Sequence, residues 1–216
     1  LKTQNRKAEL LQTNIYNDID NDGIEEVNEV MSSQRTNYKE WPVSNLVLPN
    51  NIQTAKATDA LDDRIIFNEY YDNGNAKEVS KSDGTHIIYV WGYNEQYPIA
   101  KIENFTSTQA SSIQSLINSA ITASNSDVDR TIGTTGTEGV LRTALEAIRN
   151  HTALANSLIS TYTYDPLIGV TSVTDPKGYT MYYEYDNLNR LIRVKDADGN
   201  ILSENEYNYA SQNNNN

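Results

Sequence analysis

Two periodicities divide the chain. Over most of its length apolar and aromatic positions alternate with polar ones, which is the pattern of strands that bury one face. Met181, Tyr183 and Tyr185 fall on one side of such a segment, and Thr180, Tyr182 and Glu184 on the other. Asp186-Asn187-Leu188-Asn189-Arg190 then breaks the alternation with residues that tolerate a left-handed backbone and bond their own main chain. Leu191 to Asp196 resumes it, and Asp196-Ala197-Asp198-Gly199-Asn200 turns it again, with Asp198-Gly199 the strongest hairpin signal of the sequence. The unit is a β-hairpin of roughly 22 residues. Ile65 to Tyr71, Thr85 to Tyr93, Ile99 to Glu103, Gly169 to Thr174 and Ile201 to Tyr207 predict strands in the same way.

Between about Thr106 and Asn156 the period changes. Ile113, Leu116, Ile117, Ala120 and Ile121 fall at helical spacing, and Leu141, Ala144, Leu145 and Ile148 repeat it. A Gly/Thr/Ser loop from Ser124 to Gly139 joins the two stripes, so the segment predicts a helical hairpin whose apolar faces bury against each other or on the sheet. A docking pair for another protein is the alternative.

The hairpins repeat. Paired aromatics followed by a turn recur at Tyr70-Tyr71-Asp72, Trp91-Gly92-Tyr93-Asn94, Tyr162-Thr163-Tyr164-Asp165, Tyr183-Glu184-Tyr185-Asp186 and Tyr207-Asn208-Tyr209. Successive steps are 22, 71, 21 and 24 residues, and the long one holds the helical insertion. The organisation expected is therefore mainly β, as tandem antiparallel hairpins with an inserted helical hairpin. Residues 1–60 form an N-terminal β-rich segment with an acidic loop, 61–104 a first set of hairpins, 105–156 the helical insertion, and 157–216 the C-terminal hairpins with a polar tail. Within the first segment, Lys2 to Gln12 fits a short helix or a strand, Leu46 to Ile52 is extended around Pro49, and Ala55 to Ala60 reads as a surface loop. The absence of an initiator Met at Leu1 suggests a piece of a longer protein, with any signal peptide upstream.

Charge narrows the partners. With 17 Lys and Arg against 29 Asp and Glu, the net charge of −12 argues against binding nucleic acid or anionic lipid, both of which need a cationic face. Fifteen Tyr and 27 Asn against 2 Phe and 2 Met suit half-wet sheets. Zero Cys excludes disulfides, thiolate metal sites and cysteine nucleophiles. No run of 18 apolar residues is present.

The sharpest local motif is Asp18-Ile19-Asp20-Asn21-Asp22-Gly23-Ile24-Glu25-Glu26-Val27-Asn28-Glu29, which fits D-x-[DN]-x-[DN]-G-x₅-E. Alternate carboxylates there converge on one hard cation, so Asp18, Asp20, Asp22 and Glu29 are candidate Ca²⁺ ligands, with the Ile24 carbonyl between them. The alternative is an acidic hairpin turn leading into a strand at Val27 and Met31, since Glu25 stands where an aliphatic is expected and no helix precedes the loop. Catalytic motifs are missing. His86 sits in an alternating strand, His151 lies near a helix end, and the glycines from Gly133 to Gly139 lack the Lys of a phosphate loop. Acidic pairs such as Asp62/Asp63 and Glu25/Glu26 carry little weight in so acidic a chain. Tyr residues, Trp41 and Trp91 raise a carbohydrate-binding reading, against which stands cross-strand aromatic packing.

Tyr183-Glu184-Tyr185-Asp186-Asn187-Leu188-Asn189-Arg190-Leu191 resembles the Y-x-Y-D-x-x-G-R-L signature of the YD repeats of the RHS and wall-associated protein family, with Asn189 in place of Gly. Tyr162, Tyr164 and Asp165 followed by Pro166-Leu167-Ile168-Gly169-Val170 are similar to a unit near the C-terminus of such proteins in Bacteroidota, and Trp91-Gly92-Tyr93-Asn94 with Pro98 to Asn104 resembles the same group. The resemblance spans about residues 60–216 and is weak in the helical insertion. It implies a twisted, spiralling Tyr-lined sheet in a large secreted or cell-surface protein, and a non-enzymatic scaffold role. It assigns Tyr162, Tyr164, Asp165, Tyr183, Tyr185, Asp186, Arg190 and Leu191 to the repeat motif. Upstream repeats of the same polypeptide are the partners it implies, with outer-membrane or type IX secretion components, glycans, or a toxin enclosed by the shell as alternatives. A scaffold further implies no pocket of perturbed carboxylates.

Overall fold

The computed structural model of the chain describes residues 9–18, 20, 23–42 and 45–208. The alternating segments become strands β1 (Gln12–Tyr16), β2 (Val30–Trp41), β3 (Leu46–Lys56), β4 (Asp62–Tyr70), β5 (Ala76–Lys81), β6 (His86–Gly92) and β7 (Tyr97–Glu103). Helices α1 (Ser107–Ala110), α2 (Gln114–Asn125) and α3 (Gly136–Arg149) follow, and then β8 (Leu158–Asp165), β9 (Gly169–Thr174), β10 (Thr180–Tyr185), β11 (Leu191–Lys195) and β12 (Ile201–Glu204). Strand order is chain order, and the registers run antiparallel. The protein is therefore mainly β, a succession of hairpins interrupted by helices. The chain forms two compact units, residues 1–89 with 102–111, and residues 90–101 with 112–216.

In the first unit Trp41, Tyr70, Val79, Ile87, Ile88 and Phe105 are buried. Tyr70 of β4 meets the Trp41 ring of β2 edge-on at 4.8 Å, past the intervening β3, and stacks with Phe67 of its own strand at 5.5 Å, so aromatic contacts reach beyond adjacent strands. β3 outruns the loop read at Ala55 to Ala60: Ala55 is buried opposite Ser33, Lys56 pairs with Ser32, and the chain turns only at Ala57, whose φ is 47°. The long β2 offers a partner for those residues, and pairing overrides their weak strand preference. Val27 lies outside β2, in a 3-10 turn, Val27–Glu29, that precedes the strand. Thr106 caps α1 with a reciprocal pair of bonds, its hydroxyl accepting the Gln109 N–H and its own N–H donating to the Gln109 side chain.

In the second unit the helical periodicity is realised. Ile113 at the entry to α2, Ile117 and Ala120 within it, and Leu141, Leu145 and Ile148 of α3 are buried, and α3 packs on α2 and on β8. The intervening loop is shorter than the composition suggests, because α2 runs through Ser124 to Asn125 and Gly136 already opens α3. Gly139 is helical for a steric reason. A Cβ there would overlap the backbone of Thr134, so only glycine lets the loop fold against the first turn of α3. His151 falls beyond the end of α3, where its Nδ1 accepts the Ala153 N–H and caps a 3-10 turn, Thr152–Leu154.

Candidate functional site

Aspartates fix several of the hairpin turns. Asp186 Oδ1 accepts the N–H of Leu188 and of Arg190, and its Oδ2 lies 2.6 Å from Arg190 Nη2. These bonds, with the Arg190 guanidinium first, hold the carboxyl below its usual range. Asn189 takes the left-handed conformation the turn demands, at φ 61°, which its short polar side chain tolerates. Asp165, Asp175 and Asp196 accept N–H groups two residues on in the same way, so one local device is used repeatedly.

Tyrosines at or beside several strand termini tie one hairpin to a neighbour. Tyr185 donates its hydroxyl to the Val170 carbonyl at 2.8 Å, Tyr164 to Pro98 at 3.1 Å, Tyr97 to Pro166 at 3.0 Å and Tyr207 to Leu191 at 3.0 Å. In the first unit Tyr70 donates to the Pro49 carbonyl at 2.9 Å and Tyr71 to that of Tyr89 at 3.2 Å. Tyr97 and Tyr164 also stack, centroids 4.9 Å apart, and burial with Tyr162 and Tyr97 nearby pushes the Tyr164 hydroxyl up to about 12. Tyr162 lies opposite Val173 and Tyr183 opposite Val194. Leu191 is half-buried, and the Arg190 guanidinium covers the Tyr207 ring at 4.3 Å. The aromatic and acidic residues of the motif thus divide the labour between inter-hairpin tether and turn. Tyr209 lies outside the described residues.

The acidic loop joins β1 to β2, and the cation motif here is flanked by strands. Carboxylate oxygens of Asp18, Asp20 and Glu29 all lie within 4.8 Å of one another. Asp18 and Asp20 are exposed and Glu29 is buried, which gives oxygen ligands of the kind a hard cation takes. Asp18 Oδ2 also accepts the Gly23 N–H and Glu29 Oε2 that of Glu26, so the cluster is partly ordered by the main chain. Ile24 is an exposed residue of the same loop, and Asp22 lies outside the described residues.

Buried carboxylates are where the structure departs from expectation. Glu138 in the first turn of α3 is 1% exposed. Thr163 donates to its Oε1 at 2.5 Å, Thr171 donates to the same atom, and Arg142 Nη1 lies 2.8 Å away. Asp127 is buried too, and its Oδ2 accepts the Tyr93 hydroxyl at 2.8 Å. Burial pushes both carboxyls up. Tyr93 in turn accepts the Tyr164 N–H at 2.8 Å, and burial raises its hydroxyl above the ordinary tyrosine range. In the first unit Glu78 stands between His86 Nδ1, at 2.6 Å, and the Ser107 N–H, at 2.8 Å. Apart from Arg142, four residues on from Glu138 in α3, their partners come from other elements, which the local sequence does not mark.

Comparison with known proteins bears on the same hairpins. An RHS repeat model matches residues 169–201, the segment from β9 to the start of β12. These residues are similar to an RHS repeat. The match begins at Gly169 and takes in Asp175, Tyr185, Asp186 and Arg190, residues of the turns and the tether just described. No curated protein matches the chain. Among solved structures the chain is similar to the TcdB2-TccC3-Cdc42 complex (13% identity, TM-score 0.38, 80% of this chain and 8% of that one). It is also similar to TcdB2-TccC3 (12%, 0.37, 82% and 8%) and to the Photorhabdus luminescens Tc holotoxin pore (11%, 0.35, 82% and 8%). The chain thus spans 8% of the length of each of those chains.

Proposed function

We propose that the chain is a non-enzymatic RHS-repeat scaffold, one piece of a larger exported protein displayed at the cell surface, with further repeats of the same polypeptide as its neighbours. The observation that carries this reading is the tether. A strand-end tyrosine hydroxyl reaches the carbonyl of another hairpin in case after case, so the polar groups of the repeat are spent on joining repeats. The carboxylates with raised values are likewise committed to holding helices, Glu138 to Arg142 and two threonines, Asp127 to Tyr93. The test is a protease site placed in the exposed Asp198-Gly199 turn of the full-length protein. Cleavage on intact cells is the expected result, and protection until lysis overturns surface display. Loss of export on deleting residues 157–216 would instead favour recognition by an outer-membrane or type IX component.

The convergence of Asp18, Asp20 and Glu29 favours a second role, in which Ca²⁺ pins the loop between β1 and β2. The ion would offset the mutual repulsion of the carboxylates and stabilise the native state by mass action. Thermal melting with and without Ca²⁺ checks it: the midpoint should rise with the ion in the native chain and not in Glu29→Gln, and an unchanged midpoint in the native chain refutes it.

A further inference from the structure

β1 is the first strand of its sheet, and among the described residues it pairs with β2 alone, so its other edge is open. Two bonds fix which main-chain groups face that edge. Thr36 N–H donates to the Leu11 carbonyl at 2.8 Å, and Asn17 N–H donates to the Glu29 carbonyl at 2.9 Å. Main-chain groups alternate in direction along an antiparallel strand, so Leu11, Thr13, Ile15 and Asn17 turn theirs to β2 while Gln12, Asn14 and Tyr16 turn theirs outward. The bulge beside Tyr16 leaves this alternation intact, because the extra residue, Met31, belongs to β2. Edge strands are ordinarily guarded by a charge, a proline or a bulge of their own. Gln12-Thr13-Asn14-Ile15-Tyr16 carries none of these, and its first four side chains are exposed. Leu11 and Ile15 are 51% and 57% exposed on one face of the strand, and hydrogen bonds link Gln12, Asn14 and Tyr16 along the other.

We infer that this edge pairs with the same edge of a second copy of the chain, in a two-fold antiparallel ladder centred on Thr13. The segment Leu11-Gln12-Thr13-Asn14-Ile15 reads alike in both directions, as apolar, amide, hydroxyl, amide, apolar. Reversed against itself about Thr13, Gln12 of one copy lies opposite Asn14 of the partner. Both turn their main chain outward, so each such pair exchanges two hydrogen bonds, and the two-fold axis repeats the exchange. Leu11 then meets Ile15 of the partner in the closer, non-hydrogen-bonded positions, where each covers the other, and Thr13 meets its own counterpart. A shift of two residues either way sets Leu11 against Thr13 or Thr13 against Ile15, so an apolar side chain loses its apolar partner. Charge permits the central register, since Glu9 falls opposite Asn17 of the partner and no two charges of the described residues oppose each other. So short a ladder buries less than the roughly 1,200 Å² at which standard interfaces begin, which makes the pair weak and reversible.

The inference goes beyond the scaffold role and does not rest on it, because association is read in solution and display on cells. Sedimentation equilibrium of the 216-residue chain should show monomer at low micromolar concentration and dimer at high, with a Kd of about 10–100 µM. Ile15→Lys sets a charge against Leu11 of the partner, and Asn14→Pro removes an outward N–H that β2 does not use. Each should weaken association about tenfold or more with the thermal midpoint of the dilute protein kept, since both positions are exposed. Thr13→Cys reads the register. The chain has no other cysteine, so with oxidised glutathione, which is reduced to two thiols as the new bond forms, the two thiols at the axis should join as an intermolecular disulfide. Leu202→Cys, on the exposed strand β12, is the control and should cross-link about tenfold more slowly. Monomer at every concentration, association unmoved by both edge variants, or equal cross-linking rates at the two positions overturns the inference. A disulfide that forms in this chain but not in the full-length protein gives the edge to an upstream hairpin and overturns it as well.

Discussion

A tyrosine at the end of a strand can pack with its ring and still bond with its hydroxyl, and this protein uses both ends. Tyr185 spends its hydroxyl on the Val170 carbonyl. Tyr185→Phe keeps the ring and removes the bond, so it should cost about 1 kcal/mol, read as a lower urea midpoint with an unchanged slope. A fall several times larger would mean the ring itself had moved. Glu78 makes a different prediction. Burial alone would raise its carboxyl, but bonds from the Ser107 hydroxyl and N–H, and from His86, outweigh burial and hold it below the ordinary glutamate value. The native state therefore favours the charged form. Its contribution to stability is complete above the ordinary value and is lost as pH falls through the lower folded one. Glu78→Gln should flatten stability over that acid window, and urea midpoints taken down the acid range in both proteins check it. The sequence announced the Asp186 role, which acts within one turn, but not the Tyr185 tether, which reaches a neighbouring hairpin. It was silent on Glu78, whose partners lie 8 and 29 residues away.

The helical hairpin shows how far periodicity reaches and where it stops. The stripe at Leu141, Leu145 and Ile148 is buried as its spacing requires. Composition misplaced the boundary, because glycines read as loop while Gly136 and Gly139 sit in the first turns of α3. What decides the matter is the approach of Thr134, a tertiary fact that composition does not encode. Gly139→Ala should therefore destabilise, although alanine is the better helix former. The overlap costs about 1–3 kcal/mol, against about 1 kcal/mol gained in propensity. Val140→Ala, at an exposed neighbouring position, is the control that should stay within about 0.5 kcal/mol. Circular dichroism melts of the two variants separate sterics from propensity: equal midpoints would refute the close approach. The same turn brings in Glu138, a residue the sequence left among many acids. Its raised carboxyl acts opposite in sign to Glu78. The native state favours the protonated form, and this contribution declines as pH rises from the ordinary carboxylate range towards the raised value.

Over the whole chain, strand order equal to sequence order was legible from the spacing of turns, since each hairpin carries its own stop signal and bonds the strands beside it. Less legible was how unevenly the strands are supported. β8 packs beneath α3 and alternates buried Ile159, Thr161 and Thr163, whereas every residue of β12 is exposed, including Ile201 and Leu202. Among the described residues β12 pairs with β11 through three registered positions, with a bulge at Lys195. The strand read from Ile201 to Tyr207 ends at Glu204, because Tyr207 turns its hydroxyl to the Leu191 carbonyl and leaves the ladder. A strand with little buried apolar area opens by local fluctuation, without waiting for the rest of its unit. Native-state hydrogen exchange should therefore rank the second unit: amides of β12 first, β11 next, and those of α3 and β8 last, near the global opening rate. The tether adds a condition. Tyr207→Phe should speed exchange in β12 and β11 while leaving β8 unchanged, since the lost bond joins only that end of the hairpin series. Uniform exchange across β8 to β12, or equal acceleration everywhere, would show that the hairpins open together and that the tyrosine hydroxyls do not set the strength of individual joints.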